Sequence, residues 1–282
     1  MRPATVRSIG LLVLLAVCVE KTTHGAQPPD TEPPKGAPPY QAAPRPGDGA
    51  NMVLTAEKLA RGFDPPRPLL IWAIGSSFTN FLGNGGSLVE MIRERYPDGP
   101  EIVYKKMVGN STSYHFSRGW ARHLVIPDQP DVVLIYNFGR TEDLEQVIVE
   151  LRRHTTADIV VPTLHWCVPH KRAWPDPEAR VGHQDPPALR KLCEKHGVEF
   201  VESRRELTEY MVENGLELED LLVDSVHQSR YAAQMINKNI ARHFHRAREA
   251  GYDARSRERR LEVEAGSNVE ASAGDWVAVE DG

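Results

Sequence analysis

Two short segments, far apart in the chain, carry side chains able to act on an acyl carbonyl. The first is Gly75-Ser76-Ser77-Phe78-Thr79-Asn80, directly after the apolar run Leu69 to Ile74. A strand that breaks into a glycine turn exposes the next side chain and aims free amide N–H groups at one point. Ser77 so placed can attack a carbonyl while its own amide helps hold the oxyanion. By itself the segment also reads as a helix start, with Ser76, Ser77 and Thr79 as caps. The second segment is Asp224-Ser225-Val226-His227, just before a long helical pattern. A spacing of three lets the carboxylate reach imidazole Nδ1, which leaves Nε2 to face a serine. By itself Asp-x-x-His also reads as a surface turn with a helix cap.

Two more strand-length runs end on groups suited to an oxyanion. Ile102 to Val108 ends at Gly109-Asn110-Ser111-Thr112, where the Gly109 N–H is a second donor. Asp131 to Tyr136 ends at Asn137-Phe138-Gly139-Arg140-Thr141-Glu142, where Asn137 or Thr141 offers a side-chain donor or else caps the next helix.

The elements that would position these groups follow from periodicity. Leu69 to Ile74, Ile102 to Val108, Asp131 to Tyr136, Ile159 to Leu164 and Val198 to Val201 are strand-length runs, mostly apolar, though the second contains Lys105 and Lys106. Between them, Ser87 to Arg95, Asp143 to Arg153, Leu189 to His196, Arg204 to Asn214 and Ser229 to Arg246 place apolar residues at helical spacing. Largely apolar strands, alternating with helices, predict a parallel sheet covered on both faces. Reactive groups then gather at the carboxyl ends of its strands. The Pro-rich excursion Val168 to Pro187 is too long for an ordinary connection and predicts a functional loop over the site. With Trp166 just before it, its His170, Arg172 and Trp174 offer stacking and polar groups suited to a sugar ring.

Outside this body, residues 1–26 have the layout of a secretory leader: Arg2 and Arg7, an apolar run from Ile9 to Val19, then small residues. Residues 27–53, rich in Pro, Gly and Ala, predict a disordered tether, residues 54–251 the folded domain, and residues 252–282 an undecided tail. A net charge of −5 and a pI near 6.1, with no basic stripe, argue against nucleic acid as partner. No run after the leader is long enough to span a membrane. Of three cysteines, Cys167 and Cys193 remain after the leader, as a pair or as two buried thiols. No zinc-type spacing occurs, and neither metal nor cofactor is expected.

In order and placement, these segments resemble the SGNH (GDSL-type) hydrolase family over about Leu70 to Phe244. That family's first block, Gly-Asp-Ser, an apolar residue and often Thr, corresponds to Gly75-Ser76-Ser77-Phe78-Thr79, which puts the nucleophile at Ser77. Its second-block glycine corresponds to Gly109, and its last block, Asp-x-x-His, to Asp224 and His227. Ser76 replaces the family's Asp. Thr141 stands where the third block has its oxyanion-hole Asn, with Asn137 as the substitute.

The resemblance implies a flavodoxin-like three-layer α/β sandwich around a central, mostly parallel five-stranded sheet. It also implies a Ser77–His227–Asp224 triad with an oxyanion hole of Ser77, Gly109 and Asn137, or alternatively Thr141. For an exported (secreted or periplasmic) member it implies an esterase acting on an O-acylated carbohydrate, with Trp166, His170 and Trp174 against the sugar. The alternatives are a glycan O-acetyltransferase with the same triad, or a carbohydrate-binding protein that has lost catalysis.

Overall fold

A computed structural model describes residues 32–109, 115–136 and 139–249. The leader, the tail from residue 252, Asn110 to Thr112 and Asn137 lie outside the described residues.

Five strands form one parallel sheet: β1 (Leu69–Gly75), β2 (Ile102–Val108), β3 (Val132–Tyr136), β4 (Asp158–Pro162) and β5 (Glu199–Val201), in the order β2-β1-β3-β4-β5. This is the flavodoxin-like order, with its switch point between β1 and β3. Alternation along the strands divides the core. Ile71, Ala73, Val132, Leu134 and Tyr136 face one side, and Trp72, Ile74, Val133 and Ile135 the other.

On the first side lie α1 (Val53–Arg61), α3 (Gly86–Arg95), α7 (Ser203–Glu213) and α8 (Arg230–Glu249), which contribute Leu59, Ile92, Leu207 and Ile236. On the second lie α4 (Phe116–Val125), α5 (Thr141–His154) and α6 (Pro186–Lys195), with Val125, Val147, Ile148 and Leu192. The short α2 (Ser77–Phe81) follows β1 at the carboxyl rim. Helix α4 is wound in wide turns and broken at Gly119, whose φ of 127° interrupts the helical period; periodicity alone does not predict it.

The expected tether is corrected by the structure. From Tyr40 onward the segment is part of the folded body, and Tyr40 and Met52 are buried. The Tyr40 hydroxyl donates to Glu206 (2.8 Å), and Arg242 on α8 meets Asp48 at 2.6 Å and donates to the Ala43 carbonyl at 2.8 Å. Glu199 of β5 accepts the amides of Gly49 (2.6 Å) and Asn51 (2.8 Å). Average composition hides this: one buried aromatic and a few well-placed acceptors anchor a strap that has no periodic pattern.

Candidate active site

The turn from β1 into α2 is built by sterics. Ser76 caps α2 by accepting the Phe78 amide at 3.3 Å, and the buried Thr79 donates its hydroxyl to the Tyr136 carbonyl at 2.7 Å. That bond ties the exit of β1 to the exit of β3. A Cβ on Gly75 would stand 1.9 Å from Thr79 Oγ1 and 2.1 Å from the Tyr136 oxygen, so only glycine fits. Ser77 then opens α2 with its side chain exposed.

Opposite it, the loop Val223–Gln228 folds back on itself. Val223 N–H donates to the His227 carbonyl at 2.9 Å, and the amides of Val226 and His227 both donate to Asp224 Oδ1 at 2.8 Å. Asp224 Oδ2 lies 2.8 Å from His227 Nδ1, and His227 Nε2 lies 2.9 Å from Ser77 Oγ. The His227 amide, then its ring and the Val226 amide, hold the Asp224 carboxyl down at about 2. An ionised carboxylate only accepts, so Nδ1 carries the ring proton and the Nε2 lone pair faces the hydroxyl. Gln228 braces the pair by donating to the Phe78 carbonyl at 2.8 Å. Phe81, four residues beyond Ser77 on the same face of α2, stacks on the imidazole at 4.2 Å between centroids and stays partly exposed. The arrangement can deprotonate a serine hydroxyl and stabilise the resulting imidazolium.

The expected oxyanion donors fare unequally. The Ser77 amide begins a helix, where the first N–H groups lack intrahelical partners. The Gly109 amide instead donates to the Gly75 carbonyl at 3.0 Å, extending the β1–β2 ladder by one rung, which corrects its expected role. Thr141 begins α5 and borders a small cavity with Leu144, Pro162, His183 and Gln184, which neither Ser77 nor His227 lines. Asn137 lies outside the described residues.

The aromatic residues expected to meet a sugar are packed instead. Trp166 is 2% exposed, donates its indole N–H to Thr208 Oγ1 at 2.7 Å and lies over the Arg204 guanidinium. Trp174 is half-buried edge-on against Trp166, 5.4 Å between centroids. His170 accepts the Cys167 amide at Nδ1 (3.2 Å), and burial lowers its ring to about 4. The excursion is thus an ordered flank with its own small core of Trp166, Val181 and Leu218. Cys167 and Cys193 are free, buried thiols, and burial pushes Cys167 up to about 12. Among the described residues no cluster of three His, Cys, Asp or Glu side chains is arranged to hold a metal ion, and no helix is long and apolar enough to cross a membrane.

Sequence reasoning missed Phe81 and His165. Helical spacing from Ser77 was a signal for the first. Nothing local marks the second, whose partners lie on β3 and on the His227 loop.

No protein-family model matches the chain, and no curated protein sequence does. Solved structures are similar in fold. A variant of an acetyl-xylooligosaccharide esterase from Geobacillus stearothermophilus matches with a TM-score of 0.50 at 20% identity, over 70% of this chain and 98% of that one. A catalytic mutant of an acetylxylan esterase from the same organism matches with a TM-score of 0.50 at 19% identity, over 62% of this chain and 94% of the other. At these identities the likeness establishes the architecture: a five-stranded parallel sheet between two helical layers, as in these hydrolases.

Proposed function

We propose that this chain is a serine esterase of SGNH type that removes acetyl or other O-acyl groups from a carbohydrate. The single observation carrying the proposal is the continuous chain from Asp224 through His227 to Ser77, with both links below 3 Å at the carboxyl rim of the sheet. His227 Nε2 takes the Ser77 proton as Oγ attacks the ester carbonyl, and Asp224 orients the ring and stabilises its charge. The Ser77 amide is a donor for the developing oxyanion. His227 then returns the proton to the departing sugar oxygen, and water, activated by the same ring, releases the acyl group from Ser77.

Two features support a carbohydrate ester. The similar folds include esterases of acetylated xylan and xylo-oligosaccharides. The exposed face of Phe81, beside the nucleophile, offers a sugar ring the apolar platform that Trp166 and Trp174 do not. The basic, apolar and small-residue order of residues 1–26 makes export part of the same proposal.

The test is release of acetate from acetylated xylan and from p-nitrophenyl acetate by the wild type, Ser77→Ala and His227→Ala. A loss of roughly a thousandfold or more in kcat in each variant is expected, and Asp224→Ala should lose less than His227→Ala. Equal turnover in all of these proteins removes the proposal. One observation favours a second reading, a glycan-binding protein without catalysis: the Gly109 amide is already engaged by Gly75. Glycan binding that Ser77→Ala leaves unchanged, with no acetate released, would establish it.

A further inference from the structure

His165 follows β4 and is 1% exposed, and the proposed chemistry gives it no task. Its ring stands between both halves of the site. Nε2 lies 2.9 Å from the carbonyl oxygen of Val226, the residue preceding His227. Nδ1 lies 2.7 Å from the hydroxyl of Tyr136, the last residue of β3. The edge of Phe78, next to Ser77, meets it at 5.2 Å and 73°, and Phe78 also packs against His227 at 5.3 Å between centroids.

The proton positions follow from the partners. A carbonyl only accepts, so Nε2 bears the hydrogen; Nδ1 must then accept, and the Tyr136 hydroxyl donates to it. Burial lowers the ring to about 3, in keeping with a neutral imidazole of one tautomer. The same carbonyl receives the Cys167 thiol at 3.2 Å, and the neighbouring Ser225 carbonyl receives the Val168 amide at 2.8 Å. The Asp224–His227 loop is therefore held from beneath by three donors of the segment 165–168. Of these only His165 also connects to β3 and to the residue beside the nucleophile.

We infer that His165 is a positioning residue: its Nε2–H, anchored through Tyr136 to the sheet, sets the height of the Val226 carbonyl and hence the Ser77–His227 distance. This rests on the esterase reading above. Loss of the anchor frees the loop without touching the surface a substrate meets, so the effect falls on kcat and leaves KM in place. A displacement of about 1 Å at reacting atoms costs on the order of a hundredfold in rate.

The experiment compares His165→Gln with His165→Asn. The glutamine amide reaches the Nε2 position and keeps the donor to Val226. The asparagine amide stops at the Nδ1 position, where it meets Tyr136 only. The readouts are kcat and KM on p-nitrophenyl acetate, and the rate at which a fluorophosphonate phosphonylates Ser77. His165→Asn is expected to lose about tenfold to a hundredfold in kcat and in labelling rate, with KM within about twofold. His165→Gln is expected to recover most of both.

Wild-type kcat in His165→Asn, or equal losses in the two variants, overturns the inference. Should His165→Asn not fold, Tyr136→Phe replaces it, with a smaller loss in kcat at constant KM expected and none overturning the role. Wild type and Ser77→Ala are run alongside. A wild type no faster than Ser77→Ala in both readouts defeats the esterase reading and this inference together, whereas an active wild type with unaffected variants defeats only the latter.

Discussion

Both His165 and His227 rest against Phe78, yet they meet different surroundings. His227 keeps 21% of its side chain exposed and gains a carboxylate, whereas His165 has neither solvent nor a counter-ion. The consequence for stability has a definite sign. With a folded pKa of about 3 and an ordinary value near 6.5, His165 binds its proton more weakly in the folded chain than in the unfolded one. Its contribution is complete above about pH 6.5 and is lost as the pH falls towards 3. The half-buried His170 acts in the same direction. From His165 alone we expect about 1–2 kcal/mol to be lost between pH 6.5 and 5. Thermal melts of wild type and His165→Gln across that range should show the shallower slope in the variant; parallel slopes would contradict the burial argument.

At the scale of elements, the turn from β1 to α2 has no slack. Gly75→Ala forces either Thr79 off the Tyr136 carbonyl or β1 away from β3. An overpacking cost of about 1–3 kcal/mol is expected, together with loss of acetate release, measured by denaturant unfolding and by turnover. The strands β1 and β3 were legible because fully buried parallel strands are written as continuous apolar runs. The end of β1 named the segment carrying Ser77, whereas Asp224 and His227 were legible from their spacing of three before the last helix. The fate of the Gly109 amide was not legible, since a backbone donor looks the same in sequence whether it faces a ligand or extends a ladder. Trp166 illustrates a second blindness. An indole in a polar Pro-rich stretch reads as exposed, but Thr208 on α7 supplies the acceptor that lets it be buried. Helix α4 was missed because Gly119 breaks its period.

Across the whole molecule, the strap from Tyr40 to Met52 binds the far side of the body. Asp48, Glu206 and Arg242 are each nearly inaccessible and meet at 2.6–2.7 Å. Removing the guanidinium takes the shared cation from two buried carboxylates and leaves Glu206 with Tyr40 and Arg45, and Asp48 with the Arg45 amide. Arg242→Leu is therefore expected to cost about 3–5 kcal/mol, or roughly 10 °C in a domain of this size by calorimetry. A melting temperature within a degree of wild type would refute the pairing. A chain begun at Leu54 is expected to be destabilised similarly, because it loses Tyr40, Asp48 and Met52 together. The sequence divides at that position by composition, and the physical body does not.

The strap also imposes an order in time. Tyr40 meets Asn239, and Ala43 meets Arg242, across a separation of 199 positions each. During synthesis the strap thus emerges long before the helix that receives it. Until α8 leaves the ribosome, Asp48 and Glu206 have no guanidinium between them, and Ser77 waits for an imidazole made 150 residues later. Packing of the last helix would then close the amino-terminal clasp and bring His227 to Ser77 in one event, so a half-made chain holds neither contact.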